Sequence, residues 1–283
     1  YDKPPVYYWL VAGSFKLFGV NEFSARFPSA VLALVGVVVV YRSGQRLFGQ
    51  GAGLAAGLVL ATSIEYFYLG KAAVTDITLN LFLTIALLAF IEKRYYLFYI
   101  FAGFATITKG PIGLIFPVAI VFLYLLVGSR WRQLKEMKIA KGIVLYAIIA
   151  LPWYIFMHIK HGSIFAETFL GFHNITRFTS PEHPEGTLWY YYFPVLLLGF
   201  FPWVTLMLQS MWHSLTDSRG RFNILLFLNI WAVFIFVFFT VSQTKLVSYI
   251  LPMFPPLALI VGWYLNRLWD YHYNIRCLSW PIA

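Results

Sequence analysis

Asp2 and Lys3 stand beside Pro4 and Pro5 at the head of an aromatic, apolar run, YDKPPVYYWL. The prolines suit the first turn of a helix, which sets the two charges at a helix N-terminus. Backbone amides and the helix dipole favour an anion such as a phosphate there, and Lys3 adds a compact positive charge. The alternative is that Asp2 caps the helix and Lys3 snorkels to a membrane interface. Further along, GKAAVTDITL carries Lys71 and Asp76. Thr75 or Asp76 fits an N-cap for the following helix, and Asp76 equally fits a site acid. Lys109 falls at a Gly-Pro break in TITKGPIG, which resembles an anion-binding helix start and also fits an interface anchor. Lys245 in SQTKLVSYILP occupies an equivalent place near the far end of the chain.

The longest polar stretch, residues 160–186, offers His173, Asn174, Arg177, Glu182 and His183. A histidine and a carboxylate facing each other across a cavity could hold a hard divalent cation; plain surface histidines fit the same spacing. Asn174-Ile175-Thr176 also matches the N-glycosylation acceptor pattern.

The elements that must position these residues are apolar. Of 283 residues 60% are hydrophobic and 11% charged, whereas a soluble domain carries about 25% charged residues; the chain therefore reads as a polytopic membrane protein. An aromatic share of 20% suits a protein with two wet interfaces to anchor. The single cysteine, Cys277, excludes an intrachain disulfide framework and a cysteine-based zinc site. A net charge of +10 raises the question of nucleic acid. The basic residues lie between apolar runs rather than on one face, so membrane orientation explains them and no nucleic-acid partner is expected. Walker, dinucleotide and GxSxG patterns are all missing, and no nucleotide cofactor is expected. The chain opens on Tyr1 rather than Met, which reads as a fragment.

A bilayer core needs about 20 apolar residues per helix. Spans are expected near 26–41, 51–70, 74–91, 95–108, 110–127, 141–158, 188–212, 223–242 and 246–266, with residues 4–19 too short to cross and read as an interfacial helix. Small residues in GAGLAAG, Gly51 to Gly57, permit close helix approach. Arg42, Arg46, Lys93, Arg94, Arg130, Arg132, Lys135, Lys138, Lys141, Arg219, Arg221 and Arg267 then fall on one side, which should be cytoplasmic. The other side mixes acids, bases and histidines: Asp2, Lys3, Glu22, Arg26, Lys71, Asp76, Lys109, Lys245 and the 160–186 stretch. Such groups are expensive at membrane depth unless used, so they define a candidate site.

Eight stretches together carry a resemblance: DKPPVYYWL (2–10), NEFSARFPSA (21–30), KAAVTD (71–76), ITKGPIGL (107–114), ALPWY (150–154), RFTSPEH (177–183), WYYYFPVLLLGFFPW (189–203) and SQTKLVSYILPMFPPLAL (242–259). In order and content they resemble the polytopic glycosyltransferases of the C-type fold, in particular the bacterial branch that includes aminoarabinose transferase for lipid A and relatives of protein O-mannosyltransferases. The resemblance implies an all-α, polytopic membrane bundle whose outward-facing loops form a cavity. It places a transmembrane glycosyltransferase domain of about nine spans, truncated at its N-terminus, over residues 1–270, with 271–283 the start of a further segment. It also implies a polyprenyl-phosphate-linked sugar donor, a lipid, glycan or protein acceptor, and a monomer in the bacterial cytoplasmic membrane with its active site on the outer face. By the same resemblance Asp2 and His173, with His183 as the substitute, would hold a divalent metal cation. Lys3 and Arg177 would neutralise the donor phosphate, and Asp76 matches an acid of the family cavity. The main catalytic acid of the family is expected upstream of residue 1, so this stretch by itself is expected to lack it.

The expected reaction is attack of an acceptor hydroxyl or phosphate oxygen on the anomeric carbon as polyprenyl phosphate leaves. Lys3, Arg177, Lys109 and Lys245 would stabilise the charge developing on that phosphate. A transporter or flippase for an anionic lipid is the rival from another class, although no internal repeat supports it. A non-catalytic membrane scaffold predicts no convergence of the charges at all.

Overall fold

The computed structural model describes residues 3–162, 165, 188–216 and 222–270, and among them every regular element is helical. Asp2, His173, Arg177 and His183 lie outside the described residues. The helices run in chain order as α1 (Val6–Phe18), α2 (Glu22–Phe48), α3 (Gln50–Thr62), α4 (Ile64–Gly70), α5 (Thr75–Ile91), α6 (Tyr95–Lys109), α7 (Ile112–Val127), α8 (Gln133–Glu136) and α9 (Ile139–His161). There follow α10 (Tyr192–Gly199), α11 (Val204–Leu215), α12 (Phe222–Val241), a 3₁₀ helix (Val247–Met253) and α13 (Phe254–Asp270). An all-helical bundle is what a bilayer demands, because backbone N–H and C=O groups in hydrocarbon must be satisfied within the segment.

Each expected span coincides with helix, but two are broken. The 51–70 segment bends by 67° at Ser63 between α3 and α4, and the 188–212 segment turns by 105° between α10 and α11. Pro202 lies in that second turn, where it lacks the N–H that would continue a helix ladder. Four described helical segments are long and apolar enough to cross a bilayer, or six if each bent pair counts as one. Helices α5, α6 and α7, of 17, 15 and 16 residues, rise about 23–26 Å at about 1.5 Å per residue. Helix α1, with 13 residues, rises only about 20 Å, too little to cross upright.

The two breaks clasp each other. Trp203 Nε1 donates to Thr62 Oγ1 at 2.8 Å, and the Ile64 N–H donates to the Phe201 carbonyl at 3.4 Å. Non-helical backbone at depth is tolerated where protein satisfies it, and these bonds do so.

Outward-facing Leu34, Leu58, Phe122, Ile148 and Ile159 are exposed and apolar, the surface a helix presents to lipid. The interior is organised around α13, most of which is buried and which packs on α3. A Cβ at Gly53 would sit 2.5 Å from the Tyr41 carbonyl oxygen, and one at Gly262 would sit 2.5 Å from that of Ala52. The small residues of the Gly51–Gly57 stretch therefore do bring α2, α3 and α13 into backbone contact, as expected from sequence.

Glu92 ties one end of the bundle. Its carboxylate accepts from Ser43 Oγ at 2.7 Å and Arg46 Nη1 at 3.0 Å, and lies 3.5 Å from Arg94 Nε. Lys93 Nζ meets Glu136 at 3.1 Å beside it. Arg46, Lys93 and Arg94, which orientation assigned to one side, are thus gathered at one end of α2, α5 and α6. Asp76 marks the opposite end of α5. Replacing Glu92 by Gln removes the counter-charge of both arginines. The expected loss is about 1–3 kcal/mol, read as a lower Tm in detergent, and the gap to wild type should narrow as salt is raised.

Candidate functional site

At the end of α5 and α6 opposite Glu92 two charged side chains face each other. Asp76 lies in the first turn of α5, where the dipole favours an acid, and Lys109 in the last turn of α6, where it favours a cation. Helices α5 and α6 pack extensively against each other, so the start of one lies beside the end of the other. Lys109 Nζ donates to Asp76 Oδ1 at 2.6 Å, across 33 residues of sequence. Both side chains are largely shielded, 18% and 13% exposed. The N-cap of α5 is Val74, and no side chain caps it. Asp76 is therefore a paired acid and not the helix cap that the sequence left open.

Gly110 follows Lys109 with φ of +93°, a conformation glycine adopts without strain, and Pro111 starts α7. A Cβ at Gly113 would collide with the backbone of Ala105 and Thr106, so α7 turns back tightly against α6. This break holds Lys109 beneath Tyr249, whose ring centroid is 4.5 Å from Nζ.

Tyr249 sits on the 3₁₀ helix, which a second tyrosine anchors. The Tyr192 hydroxyl donates to the Leu246 carbonyl at 3.1 Å and accepts from the Leu246 N–H at 3.2 Å. Lys245, next in chain to Leu246, is 6% exposed, and its Nζ donates to the Ser242 carbonyl at 2.7 Å. Burial pushes its ammonium below the usual lysine range. Lys3 precedes α1, whose Val6 packs against Ile107 and Ala150. Ile107 lies two residues before Lys109, so α1 delivers Lys3 to the same end of α6. Helix α9 is pinned there as well, by Tyr154 Oη donating to the Thr106 carbonyl at 3.0 Å and by Tyr146 Oη near Thr106 Oγ1 at 3.2 Å.

Of the residues singled out from sequence, Asp76 and Lys109 are in direct contact, Lys245 lies just before the 3₁₀ helix that carries Tyr249 and is bonded to the Ser242 carbonyl, and Lys3 reaches that end through α1. Lys71 is exposed and lies over the Phe67 ring at 4.0 Å, an interface anchor. Glu22 and Arg26 pair with each other at 3.5 Å on the exposed start of α2. Among the described residues no group of three His, Cys, Asp or Glu could hold a metal, and the expected ligands Asp2, His173 and His183 fall outside that set.

Sequence patterns missed Tyr192 and Tyr249, whose roles depend on partners far along the chain, and Glu65, which stands in the apolar run SIEYFYLG. Its signal was present, since a lone acid in such a run needs a reason. Glu65 is 4% exposed, and neither carboxyl oxygen has a hydrogen-bond partner.

The model of the dolichyl-phosphate-mannose-protein mannosyltransferase family matches residues 2–156. An uncharacterized protein of Aquifex aeolicus is 32% identical over 270 residues, covering 94% of this chain and 61% of its own length. The undecaprenyl phosphate-alpha-4-amino-4-deoxy-L-arabinose arabinosyl transferase of Edwardsiella ictaluri is 30% identical over 284 residues, covering 95% of this chain and 50% of its own. The crystal structure of ArnT from Cupriavidus metallidurans bound to undecaprenyl phosphate superposes with a TM-score of 0.87 at 27% identity, over 94% of this chain and 50% of that one. The chain thus spans about half the length of most relatives it matches. These likenesses bear out the helical membrane fold expected from sequence.

Because burial lowers the affinity of Lys245 for its proton, the unfolded chain binds more protons than the folded one between that lowered value and the ordinary lysine value of about 10.4. Stability conferred by this site therefore rises with pH through that window. Relative to Lys245→Met, wild type should gain thermal stability as the pH is raised toward the ordinary lysine value of about 10.4; a gap independent of pH would contradict it.

Proposed function

The chain belongs to the dolichyl-phosphate-mannose-protein mannosyltransferase family, and on that footing we propose that it moves a sugar from a polyprenyl-phosphate-linked donor to a lipid, glycan or protein acceptor. The reaction is placed at the outer face of the bacterial cytoplasmic membrane, the side opposite the Glu92 end. One observation carries this reading: Asp76, Lys109 and Tyr249, distant in sequence, meet at one end of the bundle, with Lys245 buried just ahead of Tyr249 in the chain and α1 bringing Lys3 to that end. Named relatives that act on an undecaprenyl-phosphate sugar support group transfer over transport.

In the proposed step an acceptor oxygen attacks the anomeric carbon. The bond from that carbon to the phosphate oxygen breaks, polyprenyl phosphate departs with the electron pair, and the acceptor proton passes to a base. Charge on the leaving phosphate grows as the bond lengthens, so preplaced cations lower the barrier. Lys3 and Lys245 are assigned to that phosphate, with Arg177 as a third cation. Lys109 is assigned to it through a hand-over, since its ammonium is held by Asp76 at 2.6 Å. A donor phosphate drawing Lys109 away would free the Asp76 carboxylate beside the reacting sugar, where it can take a proton or steady positive charge on the ring. The polyprenyl tail would lie along the apolar helix faces, which accounts for a site built among membrane helices.

A divalent cation held by Asp2 with His173, or with His183 in its place, belongs to the same proposal and would neutralise phosphate charge as a Lewis acid.

The direct test is transfer from a radiolabelled polyprenyl-phosphate sugar by the purified full-length protein in liposomes. Lys3→Ala should lower kcat by about 10²–10³-fold while Tm in detergent stays within about a degree of wild type; undiminished turnover removes Lys3 from the mechanism. Treatment with EDTA should suppress transfer and added divalent cation should restore it, and transfer indifferent to EDTA would dismiss the metal pair.

A further inference from the structure

We infer that Glu65 is the receptor for hydrogen-bond donors on the transferred glycosyl group, an inference that rests on the glycosyltransferase reading above. Among the described acids, Glu22, Asp76, Glu92 and Glu136 each hold a Lys or Arg within 3.5 Å. Glu65 holds none, although it is the most deeply buried of them, at 4% exposed with both oxygens unpartnered. The two oxygens of its carboxyl offer lone-pair sites to incoming donors. Left unmade at membrane depth, those hydrogen bonds are a standing penalty that an incoming donor would relieve.

The surroundings make room for the group without satisfying it. Glu65 begins the second residue of α4, just past the clasp of the two helix breaks, and faces Gly199 at the end of α10. A Cβ at Gly199 would lie 2.5 Å from Glu65 Oε2, 3.0 Å from its Cβ and 3.2 Å from Phe254 Cζ. Any larger residue there would fill the space that the carboxyl occupies. Helix α4 packs against both α5 and the 3₁₀ helix, which carry Asp76 and Tyr249, so Glu65 stands on an element that borders the candidate site. Helices α4 and α10 are only seven and eight residues long; α4 begins and α10 ends at the clasp. In the proposed binding a small parting of the two at Gly199 would expose the carboxyl to the donors of a sugar joined to a phosphate near Lys109. Those donors are hydroxyls for a neutral sugar and an ammonium for an amino sugar.

The test compares binding of polyprenyl phosphate, a polyprenyl-phosphate neutral hexose and a polyprenyl-phosphate amino-pentose to wild type, Glu65→Gln and Glu65→Ala in detergent. Glu65→Ala should weaken at least one sugar-bearing ligand by roughly tenfold or more while polyprenyl phosphate alone stays within about twofold. Glu65→Gln keeps one acceptor oxygen and loses the charge. It should retain most of the affinity for the hexose if hydroxyls are read, and lose as much as Glu65→Ala for the amino-pentose if an ammonium is read. Equal weakening of all three ligands, or unchanged sugar binding in both variants, overturns the inference. A wild type that binds none of the three overturns the glycosyltransferase reading itself. If Glu65→Ala does not purify folded, the isosteric Glu65→Gln carries the same comparison, and a loss shared with sugar-free polyprenyl phosphate again overturns the inference.

Discussion

The contact between Lys109 and Asp76 is the constraint on which the site end of the protein depends. Two opposite charges 2.6 Å apart and mostly shielded from water cannot be separated without leaving one of them uncompensated in a medium that solvates it poorly. The pair therefore fixes the register of α5 against α6. It also holds the Gly110-Pro111 break at the point where α7 turns back, and it presents Lys109 to the ring of Tyr249. Through Tyr249 the pair meets the 3₁₀ helix, and through the Leu246 backbone that helix is bonded to Tyr192 on α10. Three distant parts of the chain thus converge on one ion pair.

The same physics explains why the helices break where they do. A regular helix hides its backbone from lipid, so a break creates donors and acceptors that must find partners inside the protein. The break at Ser63 and the turn at residues 200–203 answer each other, by way of Thr62 with Trp203 and Ile64 with Phe201. At the other end Glu92 gathers arginines and a serine from α2 and the α5–α6 turn. Between these two polar ends the packing is apolar and close, with glycines at Gly53 and Gly262 where backbones touch. The described ion pairs lie at or near helix ends, where chain direction changes, as a low-dielectric surround favours.

Much of this was legible in the residues. The expected segments all coincide with helix, because apolar runs long enough to cross a bilayer have few other stable forms. Lysines beside Gly-Pro and Pro-Pro pairs correctly marked helix ends, since proline and glycine punctuate helices by their own geometry. Less legible were the bends. Composition reads SIEYFYLG as a continuation of the span before it, and nothing local in ATSIEY announces a 67° turn at Ser63. Tyr192 and Tyr249 were hidden inside aromatic runs where many neighbours have the same composition, and only their partners 54 and 140 residues away distinguish them. Glu65 carried a local signal, but its meaning required seeing that Glu22, Asp76, Glu92 and Glu136 were each paired.

By itself the sequence determined the helical membrane class, the sorting of basic residues to one end and the set of charged residues at the other. These follow from hydropathy and charge, which act residue by residue and need no knowledge of neighbours in space. Only the tertiary structure decided which of those charges meet: that Asp76 holds Lys109 and caps nothing, that Lys71 lies aside on Phe67, and that Glu65 is buried opposite Gly199 without a partner. The physical reason is that an ion pair in a low-dielectric interior is set by distances of a few ångströms between helices, and those distances arise from packing along the whole bundle.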